Sequence, residues 1–203
     1  VKWDVYDGRL SLTGAFFSNR RSRFRVDSGI VGVQQQLDGA SRVEGVALGA
    51  TGWITDQWSV FANYTFLESE LEQSISDRLI GGGQIDFVAG DPLPNTPEHS
   101  FSLWTTYELT QVKPGFLVGL GATYQGEYAF TRQSATTPLF YTPDYWVYRA
   151  MAAYPLSEDT AIQLNVTNLF DEEYLERVRN NATNGWATPG ARRSVTASLT
   201  YRF

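Results

Sequence analysis

The residues from Val195 to Phe203 read Val-Thr-Ala-Ser-Leu-Thr-Tyr-Arg-Phe, apolar or aromatic at every odd position and polar at every even one. Successive side chains of a β-strand point to opposite faces, so a period of 2 held this long requires a strand with two unlike faces. The same alternation returns upstream. It runs through Ile162, Leu164, Val166 and Phe170, through Val118, Leu120, Ala122 and Tyr124, and through Phe101, Leu103, Tyr107 and Leu109. Trp58 to Phe66, Val46 to Ile54 and Trp146 to Tyr154 repeat it, and Leu10, Leu12 and Phe16 open the series. About eight antiparallel strands of roughly 9 to 13 residues are predicted, and no segment has the period of an amphipathic helix.

The connections between these segments alternate in length. Thr55 to Gln57, Thr110 to Gly115 and Pro155 to Thr160 are tight turns, whereas Arg25 to Ser41, Glu68 to Glu98, Thr131 to Thr142 and Asp171 to Gly190 are long. In an up-and-down meander, alternate connections emerge at opposite ends. Short turns at one rim and long loops at the other are how outer-membrane barrels are built, the short ones periplasmic and the long ones extracellular.

The two faces differ in charge as well as in hydropathy. The apolar register of these segments holds no Lys, Arg, Asp or Glu, while the other register carries Glu108, Arg149 and Arg202 among many Ser, Thr, Asn and Gln. A charge facing lipid at the midplane costs ~2–4 kcal/mol, and one facing a wet lumen costs little. A soluble barrel with an apolar inside shows the same alternation, but the aromatic residues favour the membrane. Trp58, Tyr107, Tyr154 and Tyr201 fall toward the short-turn rim, and Tyr64, Tyr124, Tyr128 and Trp146 toward the long-loop rim, as interfacial girdles require.

Composition removes other classes. A net charge of −6 gives no diffuse basic field for a phosphate backbone, so nucleic acid is excluded as a partner. With no Cys and one His, thiolate zinc sites, disulfides and cysteine nucleophiles are all unavailable. No segment has the run of apolar residues that a membrane-spanning helix needs, and Val1-Lys2-Trp3-Asp4 is no signal peptide. Gly119-Leu120-Gly121 lies inside a strand and Gly81 to Gly83 inside a loop, so neither is a phosphate loop. His99 is placed at a rim beside Pro94 and Pro97 rather than in a catalytic triad, and Asp171-Glu172-Glu173 as solvated rim acids rather than a cation site.

Six stretches, grouped in four motifs, carry a resemblance. Asn168-Leu169-Phe170-Asp171-Glu172-Glu173-Tyr174, the later Pro189-Gly190-Ala191-Arg192-Arg193 and the ending Tyr201-Arg202-Phe203 resemble the closing region of TonB-dependent outer-membrane receptors. Pro92 to His99 leading into Ser102 to Tyr107 is similar to a segment of the siderophore-receptor branch, and Arg42 to Leu48 resembles a third motif with Ala47 where Glu is common. Tyr145 to Ala150 resembles a fourth, with Arg149 standing where the family usually has Asp, which removes the carboxylate an internal salt bridge would use.

The resemblance implies the C-terminal part of a transmembrane β-barrel in the bacterial outer membrane, spanning residues 1–203, with the plug domain, the TonB box and the N-terminal barrel strands absent. It implies import of a ferric siderophore powered through TonB, with lipid and the barrel-assembly machinery as further partners. It implies neither catalysis nor a resident cofactor, iron being cargo. The alternative is a freestanding eight-stranded barrel with a structural or adhesive role. Ferric siderophores are compact, often anionic and aromatic, so the expected contacts are cations and flat rings near the outer mouth. Arg132, Tyr141, Arg177, Arg179 and Trp186 occupy two long loops, with Arg149 in the lumen beneath them, while Leu199, Tyr201 and Phe203 would form the C-terminal assembly signal.

Overall fold

The computed structural model describes residues 1–30, 33–73, 89–130, 139–180 and 185–203, with 24–30, 33–38, 73 and 179–180 as backbone alone. Its strands are β1 (Lys2–Val5), β2 (Leu10–Ile30), β3 (Val33–Trp53), β4 (Trp58–Gln73), β5 (His99–Glu108), β6 (Leu117–Gln125), β7 (Tyr128–Ala129), β8 (Tyr141–Thr142), β9 (Tyr145–Pro155), β10 (Thr160–Thr167), β11 (Leu175–Asn180), β12 (Gly185–Pro189) and β13 (Ser194–Tyr201). Nine of them form one sheet in the order β1-β2-β3-β4-β5-β6-β9-β10-β13, while β7-β8 and β11-β12 are separate hairpins. All eight segments expected from periodicity lie in this sheet. The ninth, β1, was missed because four residues reading Lys-Trp-Asp-Val are too short to show a period.

The register carries the alternation across the sheet. Leu10, Gly52, Val60, Thr105, Leu120, Ala150, Val166 and Val195 are successive partners in one row, so a single apolar line crosses eight strands. One residue along, Ser11, Thr51, Phe61, Trp104, Gly121 and Arg149 form a row on the opposite face. A slip of one residue in any pair would exchange the faces, so the pattern fixes the pairing.

The apolar face has nothing packed on it. Phe16, Leu120 and Leu199 are 74%, 60% and 68% exposed, and Leu71 is the one large side chain fully buried among the described residues. A contiguous apolar surface of this extent marks a membrane or partner interface rather than a folded core. Hydrocarbon takes the place of a second layer.

Both borders of the apolar band are chemically marked. At the short-turn end Trp58 pairs with Tyr107, the Trp58 Nε1–H donates to Thr105 Oγ1 at 2.7 Å, and Lys113 Nζ lies 4.9 Å from the Tyr154 ring centre. At the long-loop end Tyr64, Phe101, Tyr124 and Trp146 share one row. One row further, Phe16, Val46, Phe66 and His99 close the band, and the Tyr64 hydroxyl lies 2.8 Å from His99 Nδ1. Beyond them the same register turns ionic. Arg20 and Arg42 are direct partners, neutralised by Arg20–Glu72 at 2.6 Å and Arg42–Glu70 at 2.8 Å, and Ser18 donates to Glu44.

Two expectations need correction. Of the stretch Arg25 to Ser41, the described residues are not loop, because β2 runs to Ile30 and β3 starts at Val33, and β4 likewise runs to Gln73. At ~3.3 Å per residue a 21-residue strand reaches about 70 Å, well past the ~9–11 residues that cross a membrane. Loss of the apolar period there marked the membrane boundary and not the strand end. Tyr128 is no girdle residue either, being 5% exposed in the β7-β8 hairpin.

Candidate functional site

The long-loop rim is held by a side-chain clamp. Asn168 follows β10 at φ 49°, a left-handed conformation that Asn tolerates better than most residues, and is 2% exposed. Its Nδ2 donates to the carbonyls of Glu172 (2.8 Å) and Ala191 (2.9 Å), and its Oδ1 accepts from the Glu172 N–H (2.8 Å). Asp171, at φ 58°, takes Arg192 through both oxygens, at 3.1 Å from Nε and 2.7 Å from Nη2, and accepts the Arg193 N–H at 2.8 Å. Arg192 Nη1 also donates to Glu173. These bonds to Arg192, then the Arg193 amide, hold the Asp171 carboxyl below the usual carboxylate range, and the two acids push the Arg192 pKa up. Asp171 and Glu173 are therefore clamp acids, not simply solvated rim charges. Among the described residues no cluster has the composition of a metal site.

Gly190 completes the closure. A Cβ there would lie 2.1 Å from the Tyr174 ring, whose centre is 4.4 Å from that of Tyr145, and the Gly190 N–H donates to the Tyr174 carbonyl at 2.8 Å. The two ends of the loop 171–190 are thereby zipped together.

From this base rises the β11-β12 hairpin, whose register shifts at Leu175/Arg177 and then pairs Arg177 with Thr188, Val178 with Ala187 and Arg179 with Trp186. Pairing and the period of 2 assign Arg177, Arg179, Trp186 and Thr188 to one side of the hairpin. Val178, on the other side, is 9% exposed, and Trp186 is 45% exposed. Three of the expected contacts therefore share one hairpin side.

The remaining expected contacts are dispersed. Arg149 lies on the polar face, where its Nη2 donates to Thr123 Oγ1 at 3.1 Å. Tyr141 is 48% exposed in β8, next to the stacked rings of Phe130 and Phe140. Arg132 lies outside the described residues, as do Gly81 to Gly83. Tyr141 in the β7-β8 hairpin and the Arg177 side of the β11-β12 hairpin are therefore two candidates.

Trp104 falls on the polar register with Ser102, Thr106 and Glu108, as the alternation predicts, but its seat there is not evident from the sequence. It lies flat over β6, where a Cβ at Gly121 would meet its ring at 2.7 Å and one at Gly119 at 2.9 Å. The Gly119-Leu120-Gly121 pair is thus a seat for an indole.

An open meander with an apolar outer band, two aromatic borders and loops built up at one rim defines a segment of an outer-membrane β-barrel receptor. The chain belongs to the TonB dependent receptor-like, beta-barrel family, whose sequence model matches residues 1–169. It is 34% identical over 99% of its length to the probable TonB-dependent receptor BfrD of Bordetella pertussis. It is similar to the crystal structure of the siderophore receptor PiuA from Acinetobacter baumannii, with 32% identity, a TM-score of 0.78, and coverage of 98% of this chain and 27% of that one. The closed form of the ferric-catecholate import receptor Fiu from Escherichia coli K12 gives 30% identity, a TM-score of 0.78, and coverage of 99% and 26%. The chain spans about a quarter of the length of the relatives it matches, 26% for BfrD. TonB-dependent receptors are outer-membrane proteins, which fits the lipid-facing band.

Proposed function

We propose that residues 1–203 are the C-terminal part of the barrel of an outer-membrane receptor that imports a ferric siderophore. In this reading a plug and further barrel strands precede them, and TonB powers transport through that N-terminal region. The observation that carries it is the placing of Arg177, Arg179 and Trp186 on one side of a hairpin whose base is clamped at the long-loop rim, in a chain of this family. Guanidinium groups and an indole are the chemistry that an anionic, aromatic chelate needs. Relatives named as siderophore receptors, PiuA and Fiu, support this class of cargo. No reaction is catalysed and iron is cargo, not a resident cofactor. Leu199 and Tyr201, on the apolar register of β13, and Phe203, two residues past its end, are assigned to recognition by the barrel-assembly machinery.

The freestanding barrel is disfavoured by strand parity. In a nine-stranded meander the first and last strands run parallel, so β1 and β13 cannot close it with an antiparallel ladder, and bacterial barrels have even strand numbers. The test is growth of an iron-starved strain on ferric catecholate as its one iron source, with the full-length gene present or deleted and with TonB present or deleted. Growth dependent on both supports the proposal. Growth independent of the receptor gene refutes the cargo.

A further inference from the structure

The polar face of the sheet carries one stretch that is neither small nor neutral. Trp104 lies across β6 with Gly119 and Gly121 buried beneath its ring, and Met151 closes the far side of this seat, its Cε 3.2 Å from where a Cβ at Gly119 would stand. One face of the indole is thereby set against the sheet and the other turned toward the lumen. Phe61, the direct partner of Trp104 on β4, is 51% exposed beside it.

A cation stands on the long-loop side of this ring. Arg149 shares a row with Gly121 and Trp104, and its guanidinium leans toward the long loops to donate to Thr123 Oγ1 at 3.1 Å. Thr123 is its one partner among the described residues, so most of its N–H donors are unused. The other charge on this register of β4, β5, β6 and β9 is Glu108, at the short-turn end, whose carboxylate accepts the Gly115 N–H at 2.7 Å. No acid of these strands therefore neutralises Arg149. Thr123 follows Gly121 by two residues, ~7 Å along the strand, so cation and indole are spaced for the acidic oxygen and the ring of one aryl group.

A guanidinium alone would suit any carboxylate, including one from elsewhere in the polypeptide. The flat indole and the open ring of Phe61 call for a flat partner as well. We infer that Arg149, Trp104 and Phe61 form a lumenal binding site for an aromatic group carrying an acidic oxygen, the chemistry of an aryl chelating arm. The acidic oxygen accepts from Arg149, and the ring lies on Trp104. The inference rests on reading the chain as part of an import receptor, in which cargo leaving the long-loop rim meets this wall on its way to the periplasm. An acid at position 149, which the family motif usually has, would repel the same group, so the reversed charge makes Arg149 a residue of specificity in this chain.

The experiment uses the full-length receptor in detergent micelles, labelled with fluorotryptophan, with the fluorine resonance of Trp104 assigned from the Trp104→Phe spectrum. The probe is salicylate, an aryl carboxylate. Its titration is expected to shift the Trp104 resonance, and Arg149→Gln to weaken binding about tenfold, the size of one lost charge-assisted hydrogen bond. Gly121→Ala, which lifts the indole from its seat, is expected to weaken binding with the cation intact. Cyclohexanecarboxylate, an anion without a flat ring, is expected to bind more weakly than salicylate. A Trp104 resonance that does not respond, or an unchanged affinity in Arg149→Gln, would overturn the proposal. So would equal binding of cyclohexanecarboxylate, which would make the site one for any anion. A lower unfolding temperature of Arg149→Gln with the titration unchanged would also overturn it, because the guanidinium would then be paired with a carboxylate elsewhere in the receptor. Receptor-dependent growth on ferric catecholate with a silent Trp104 would remove this site alone, whereas a responding Trp104 without such growth would remove the cargo and leave the site.

Discussion

Asn168 and Asp171 show how much rim structure rests on single polar atoms. Both sit in the left-handed region, which Asn and Asp tolerate better than most residues; Asn168 bonds the local Glu172 backbone there, and Asp171 reaches Arg192 and the Arg193 amide across the loop. Asn168→Asp replaces a two-proton donor by an acceptor facing the carbonyls of Glu172 and Ala191, so it is expected to be worse than its size suggests. Loss of those bonds at a buried residue costs roughly 1–3 kcal/mol, measurable as earlier thermal unfolding in micelles and faster proteolysis within 171–190. Asp171 makes a pH prediction of definite sign. Its carboxyl is depressed by Arg192 and then by the Arg193 amide, so the clamp's contribution is complete above the ordinary carboxylate pKa of about 4 and is lost as pH falls through the lower folded value. Protease resistance of the 171–190 loop should therefore stay constant from neutral to mildly acidic pH and collapse only below about pH 4. Asp171→Asn should remove that dependence, and a collapse near pH 6 would point to a different group.

At the scale of elements, the strands inside the membrane were legible and those outside it were not. Lipid imposes a penalty on every second residue, so β10 could be read from Ile162, Leu164 and Val166 alone. Where β2 and β3 project past the band, both faces meet water, no alternation is selected, and backbone pairing from Arg20–Arg42 upward left no periodic trace. The clamp was invisible for another reason, since Asp171 and Arg192 lie 21 residues apart and only the folded loop joins them. The hairpin side bearing Arg177 and Trp186 likewise needed a register, including a bulge at Leu175/Arg177 that no composition rule supplies. The band itself is tested on one strand. Leu164→Arg should destabilise the receptor in lipid by up to ~2–4 kcal/mol more than Gln163→Arg, because Leu164 shares the row of Ala152 and Ala197 while Gln163 faces the other way. Equal stabilities would mean that the faces are exchanged. The hairpin is tested by Arg177→Ala with Arg179→Ala in the full-length receptor, which should weaken binding of an anionic ferric chelate without lowering barrel stability. Exposed charges are screened over ~8–10 Å, so the loss should shrink at high salt. Unchanged affinity at both salt concentrations would leave Arg132 and Tyr141 as the remaining loop candidates.

The whole molecule has two free edges. β1 and β13 each have one sheet partner, and above Gly14 the outer edge of β2 has none among the described residues, although Gly14 and Val1 exchange two backbone hydrogen bonds at 2.6 and 2.9 Å. Unpaired N–H and C=O groups cost several kcal/mol each in hydrocarbon, so this sheet cannot rest in a bilayer as it stands. Parity prevents it from closing on itself by an antiparallel ladder, and the polar face offers Phe61, at 51% exposure, and the Trp104 ring on its glycine seat as further surface to cover. Residues 1–203 expressed alone and refolded in detergent are therefore expected to associate through their edges. On unheated gels they should show no compact, faster-migrating monomer band, whereas the full-length receptor should show one that disappears on boiling. A compact, protease-resistant monomer of the 203-residue chain would contradict the open-edge argument and restore the small freestanding barrel. If association is observed, adding the remaining strands of the receptor in trans should suppress it, because they supply the missing ladder partners for β1, β2 and β13.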